Sequence, residues 1–141
     1  MKFRGVRGAT TADENSADAI LRATRALLRA MIDENEIDED DVASIIFTTT
    51  PDLTAAFPAK AARDLGWSRT ALLGCQEIDA PDGIPRCIRI LIHWNTPKTL
   101  DEVRHVYMAG ALALRPDLFY PDNKVIVEPH EENKHDHRHE A

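Results

Sequence analysis

The sequence lacks most of the features that announce a chemistry. Cysteine is scarce: Cys75 and Cys87 are the only two, and their spacing suits neither a disulfide framework nor a zinc site. Glycine is scarce as well, six residues in all, and none falls into a GxGxxG or P-loop pattern. HExxH, CxxC and GxSxG are absent too, so dinucleotide, nucleoside triphosphate, zinc-hydrolase and nucleophile-elbow sites have no motif behind them. No run approaches the ~18 apolar residues of a membrane span, and the opening MKFRGVRGATT has no apolar signal segment. An excess of basic charge is missing also. The formal net charge is −7, which argues against nucleic acid, because phosphate contacts need a basic face. The expectation is a soluble cytoplasmic protein with no membrane or nucleic-acid partner.

What is present suffices for one domain. A chain of 141 residues, 43% of them apolar, can bury roughly 70% of the surface it exposes when unfolded. The negative charge is local. Asp33 to Asp41 (DENEIDEDD) holds seven acids and no base; from Glu128 onward there are five acids and two bases; the rest carries 15 bases against 12 acids. The acidic run is no EF-hand, since Ile37 occupies a ligand position and the turn glycine is missing; it reads as a solvated loop. Arginine outnumbers lysine 12 to 5. Its planar fork holds a carboxylate through two parallel hydrogen bonds, so the mildly basic body is compatible with a small anionic ligand.

Periodicity gives the elements. Residues 2–8 read as a strand with Phe3 and Arg7 on one face. Residues 16–32 read as a helix capped by Ser16, with Ile20, Leu21, Thr24, Leu27, Leu28 and Met31 on its apolar stripe. Thr24 can bond back to a carbonyl one turn earlier. Arg22, Arg25 and Arg29 fall largely off the stripe, on a solvated face. A strand follows at 42–50, then a short helix from Pro58 to Leu65 closed by Gly66. Residues 71–75 and 85–94 read as strands, and the second turns Ile88, Ile90 and Ile92 one way and Cys87, Arg89, Leu91 and His93 the other. Residues 99–104 suggest a helical turn capped by Thr99, 105–108 a fifth strand, 109–114 a short helix, and 125–127 an added edge strand or local packing. This order implies an α+β fold with helices on one face of the sheet. Its open edge and half-bare face suggest oligomerisation.

One constellation stands out: Arg7, Arg89 and Arg115 on or beside strands, with Glu77 and Tyr107. An arginine on a packed strand needs a partner or a ligand, because an unpaired buried charge is costly. From the residues alone, edge positions and structural ion pairs, such as Glu77 with Arg89, are the better reading than a binding site.

Four segments then carry a resemblance: RGVRGATT, TPDLTAAFPAKAARDLGW, the pair QE followed by CIRI, and RHVYM with LRPDL. Together, from about Phe3 to Leu118, the chain resembles the small trimeric chorismate mutases rather than the all-helical ones. The resemblance implies a five-stranded mixed sheet with helices outside, assembled as a pseudo-barrel homotrimer with active sites between subunits. It implies conversion of chorismate, a small dianion, to prephenate by a [3,3]-sigmatropic rearrangement on the route to phenylalanine and tyrosine, with no cofactor and no metal. It implies a catalytic domain over 1–118 and a polar C-terminal extension over 119–141. By the same resemblance Arg89 is the cation beside the breaking ether bond, Arg7 binds a carboxylate, Tyr107 donates to the same anionic end, and Glu77 accepts from the ring hydroxyl. Phe57 and Ala59 are apolar walls, and Lys60, Arg63 and Arg115 a basic rim; Gly74 and Leu114 complete the substrate contacts. Lys60, Arg63 and Arg115 also read as ordinary exposed bases.

Two departures from that pattern are visible. Three residues before the glutamate, where many members carry Cys or Ser, stands Gly74; the cysteine comes one place later, and strand alternation should turn Cys75 away, so it receives no role. The chain also runs on past RPDL into KHDHRHE (134–140), whose alternating histidines, with His130 upstream, can bind a metal adventitiously or simply form a solvated tail. An enamine/imine deaminase of similar trimeric fold is an alternative that leaves Glu77 and Tyr107 unexplained. A non-catalytic binder of aromatic-pathway metabolites is another.

Overall fold

A computed structural model describes residues 1–114 and 124–127. Strand β1 (Lys2–Thr11) leads into helix α1 (Ala17–Asn35), a 3-10 turn (Glu39–Asp41) and β2 (Val42–Thr49). Helix α2 (Lys60–Asp64), β3 (Ala71–Gln76), β4 (Cys87–Thr96), β5 (His105–Met108), a 3-10 stretch (Ala109–Leu114) and β6 (Lys124–Val127) follow. The sheet order is β3-β2-β4-β1-β5-β6. β4 runs antiparallel to both β1 and β2, while β2–β3, β1–β5 and β5–β6 are parallel. The expected mixed α+β sheet is thus present, with a sixth strand added at its edge by residues 124–127.

Helix α1 forms because its ends and stripe agree. The Ser16 hydroxyl accepts the Ala19 N–H at 3.1 Å, satisfying one of the orphan donors of the first turn. Ile20, Leu27, Leu28 and Met31 are wholly buried, and the buried Thr24 hydroxyl donates to the Ile20 carbonyl at 2.7 Å. The helix runs beyond residue 32, into the segment expected to be an acidic loop. Asn35 explains this. Its buried amide donates to the carbonyls of Met31 and Arg104 and accepts the Arg104 N–H, at 2.8–3.0 Å. Those bonds hold the last turn against the approach to β5, and Glu36 ends it in the left-handed region at φ 56°.

The core lies between α1, α2 and one sheet face: Leu27, Leu28, Met31 and Ala62 meet Val6, Phe47, Ile90, Ile92 and Val106. α1 approaches β1 so closely that a Cβ on Gly8 would stand 2.4 Å from Met31 Sδ. Gly66, at φ 92°, closes α2 as expected. The helical turn expected at 99–104 is a single turn, in which Glu102 accepts the Thr99 N–H at 2.8 Å and donates its own to the Thr99 carbonyl. Val103, 1% exposed, is drawn into the core directly afterwards. The opposite sheet face is mostly open, with the 3-10 stretch covering only its β1–β5 side through Ala111 on Ala9 and Tyr107. Among the described residues no helix is long and apolar enough to cross a membrane.

Candidate active site

The open face is where the arginines gather. Alternation along β4 buries Ile88, Ile90 and Ile92 and sends Arg89 and Leu91 the other way. Register does the rest. Arg89 stands opposite Ala9 of β1 and Thr48 of β2; Tyr107 of β5 stands opposite Ala9 from the other side. One row of the sheet therefore reads Tyr107, Ala9, Arg89, Thr48, and in the next row Arg7 stands opposite Leu91, which faces Ile46. A cavity of about 230 Å³ opens here, with Arg7, Thr48, Glu77, Arg89 and Tyr107 around a floor that includes Ala9, Ile46 and Leu91. The small Ala9 side chain between Tyr107 and Arg89 leaves room that a larger residue would fill.

Glu77 enters from the end of β3. Its N–H donates to the Thr49 carbonyl at 2.8 Å, which extends the β2–β3 pairing past the strand. One carboxylate oxygen, Oε1, accepts the Thr48 hydroxyl at 2.8 Å and lies 3.1 Å from Arg89 Nε. The ion pair anticipated from sequence thus exists, and it lines the cavity. With the Arg89 side chain 46% exposed, the pair contributes little to stability; its consequence is to fix the direction of the guanidinium. Two guanidinium groups, one carboxylate and a phenol around one concavity suit a dicarboxylate bearing a hydroxyl.

Behind Arg89 the start of β4 is clamped. Arg86 sits in the left-handed region at φ 50°, a conformation that costs a non-glycine residue roughly 1–2 kcal/mol. Its N–H donates to Asp52 Oδ2 at 2.8 Å and its Nε to the Ala12 carbonyl at 3.0 Å. Thr50 donates its hydroxyl to Asp52 and accepts the Cys87 N–H at 2.9 Å. The Thr50 hydroxyl, opposed in part by desolvation, holds Asp52 below the usual carboxylate range. Burial pushes the Cys87 thiol up, so it stays protonated two residues from Arg89. On the far side of the cavity, the Arg7 N–H donates to Nδ1 of His105 at 3.0 Å. Burial, and then the Arg7 cation, push His105 down to about 4.

The remaining sequence candidates divide. Leu114 packs beside Tyr107 in the small cluster over Ala9. Phe57, 80% exposed, and Gly74 line a second concavity, of about 530 Å³, together with Pro58 and Cys75. Ala59 packs partly against the main core, Lys60 pairs with Asp64 at 3.2 Å on the surface, and Arg63 is exposed. A single chain does not bring these four α2-region residues to the Arg89 cavity. Gly74 stands opposite Phe47, while Cys75 stands opposite Thr48 and so shares the row of Arg89, which corrects the expectation that alternation turns Cys75 away. Arg115, His130 and residues 134–140 lie outside the described residues. Among the described residues no cluster of three His, Cys, Asp or Glu side chains could hold a metal ion. Sequence reasoning did not single out Thr48, Thr50, Asp52 or His105. Thr48 had a usable signal, since alternation in VASIIFTTT puts it with Ile46 and opposite in sense to Phe47.

Comparison with known proteins identifies the family. The family model described as chorismate mutase type I matches residues 3–118. The chain is similar to chorismate mutase AroH of Thermus thermophilus, 50% identical over 116 residues, covering 82% of this chain and 95% of that protein. It is 41% identical over 124 residues to chorismate mutase AroH of Bacillus subtilis, covering 87% of this chain and 98% of the relative. A solved chorismate mutase from Clostridium thermocellum superposes with a TM-score of 0.77 at 49% identity, over 78% of this chain and 98% of that one. On a match that takes in every described wall of the Arg89 cavity, the chain belongs to the chorismate mutase type I family.

Proposed function

We propose that this protein converts chorismate to prephenate by a [3,3]-sigmatropic rearrangement, in the cytoplasm and without cofactor or metal. The observation that carries the reading is the convergence of Arg7, Arg89, Glu77 and Tyr107 on one cavity. The reaction is unimolecular and pericyclic, so it asks for no nucleophile and no proton shuttle. It asks that a dicarboxylate be held in a compact chair-like shape, and that charge growing on the ether oxygen meet a donor already in place. Arg89, directed by Glu77 and by the clamped start of β4, is that donor. Arg7 and Tyr107 hold a carboxylate, and Glu77 accepts from the ring hydroxyl. A ~10⁶-fold acceleration corresponds to about 8 kcal/mol. One preorganised donor supplies ~3–4 kcal/mol, and restriction of the substrate supplies the rest.

The active form in this reading is a homotrimer, and residues 1–118 are its catalytic domain, with 119–141 as an extension. Phe57, Ala59, Lys60 and Arg63 of one copy complete the dianion site of another, with Gly74, Leu114 and the rim residue Arg115 among the substrate contacts. Exposed Phe57, Leu73 and Ile78 (80%, 59% and 88%) support burial against a second copy. The two free thiols suit a reducing compartment.

The test is direct. Purified protein should deplete chorismate and form prephenate, and EDTA should leave the rate unchanged. Chorismate binding without turnover by the assembled protein would overturn the reading. Mixing Arg89→Ala with Arg63→Ala protein, each impaired alone, should restore activity through sites that draw one intact half from each copy.

A further inference from the structure

We propose that His105 is a positioning residue for the cationic half of the site, its imidazole fixing the Arg7 backbone and the start of β5 together. The inference rests on the reading just given for the function of that site. The β1–β5 ladder is short: Gly8 pairs with Val106 and Ala9 with Tyr107. The β1–β5 pairing begins at Gly8, one residue past Arg7, and His105 is the first residue of β5. The His105 side chain extends the contact between the strands by one step, with Nδ1 accepting the Arg7 N–H at 3.0 Å. The residue is 8% exposed, and leaving that N–H unmet would be costly. An Nδ1 that accepts carries no proton, which puts the imidazole in its neutral form with hydrogen on Nε2. Burial and the Arg7 cation both favour that form.

The position matters because of what hangs from each end of the bond. Arg7 is the residue whose N–H is held. Tyr107 lies two residues beyond His105 on a strand of four residues. One bond thus sets the relative placement of two groups assigned to the same anionic end of the substrate. A misplacement of about 1 Å at such a site can cost 10²-fold in rate.

The experiment compares three variants in the full chain. His105→Leu keeps bulk and removes the acceptor. His105→Asn presents Oδ1 where Nδ1 stands. His105→Gln offers its carbonyl one methylene further out. We expect kcat/KM to fall at least tenfold in the Leu and Gln variants and to return to within about threefold of the parent in Asn. A parallel readout on the unaltered protein is a scalar coupling across the Arg7 N–H···Nδ1 bond by NMR, with a ¹⁵N shift at Nδ1 typical of an unprotonated nitrogen. Leu equal to the parent, or Asn no better than Leu, overturns the proposal. If the variants do not fold, absence of the coupling overturns it and its presence supports it. If the parent itself fails to turn over chorismate, the functional reading falls while the coupling still decides the role of His105.

Discussion

Acid should weaken this fold in a window set by one residue. His105 is buried among β1 and β5 and held near 4 in the folded chain, whereas an unfolded histidine titrates near 6.5. Between those values the unfolded chain binds a proton that the folded chain refuses. Stability contributed by the neutral imidazole is therefore complete above about pH 6.5 and is lost as pH falls through about 4. A difference of about 2.5 pK units corresponds to roughly 3 kcal/mol per chain, of which about 2 kcal/mol is gone by pH 5. Asp52, held below its ordinary value, gives way only at lower pH and does not share the window. The assay is urea unfolding of the parent and of His105→Asn at pH 7.5, 6 and 5, at one protomer concentration, because an oligomer's midpoint depends on it. Asn does not titrate, so the stability difference between the two proteins should narrow by about 2 kcal/mol between pH 7.5 and 5. A difference constant with pH would show that His105 is not held neutral by its surroundings and would refute the reasoning.

Arg89→Ala should lower kcat by about 10²–10³-fold, the usual cost of a donor at developing charge, while its urea midpoint moves little; a kcat within threefold of the parent would rule out the assigned role. Glu77→Gln keeps an acceptor for Thr48 but loses the charge, and steady-state kinetics should show a loss on the order of 10–100-fold, in line with a hydrogen bond to a charged group. Gly8→Ala should destabilise by about 1–3 kcal/mol, because the new methyl would meet Met31 Sδ at 2.4 Å; the denaturation midpoint should fall with an unchanged m-value. Ser16→Ala removes the cap on the Ala19 N–H and should cost about 1 kcal/mol in the same assay.

Much of the fold could be read because it is locally periodic. The stripe on α1, the Ser16 cap, the Thr24 back-bond and the alternation along β4 each depend on neighbours a few residues away, and each appears in the structure. What could not be read depends on distant partners. The extra turn of α1 exists because Asn35 bonds to Arg104, and nothing near residue 35 in the chain announces that. His105 is assigned by a backbone N–H almost a hundred residues away, and Asp52 by the N–H of Arg86; backbone donors leave no trace in side-chain patterns. Among the candidate residues, periodicity put Arg89 on a particular face, but a structural ion pair stayed the better explanation until four separate segments matched one family.

The division of the candidates follows from the layers. α2 packs on the face of the sheet that carries α1, with Ala62 wholly buried there. Arg89, Arg7 and Tyr107 line the opposite face. Residues of α2 are therefore separated from the cavity by the sheet itself, and no side-chain rotamer in the same chain carries Lys60 or Arg63 across it. If those residues act on the same substrate as Arg89, they must come from another copy. Activity regained on mixing Arg89→Ala with Arg63→Ala protein would place the two arginines in one site from two chains. Arg63→Ala protein that by itself turns over chorismate as fast as the parent would mean that Arg63 supplies nothing to that site and is an ordinary surface charge.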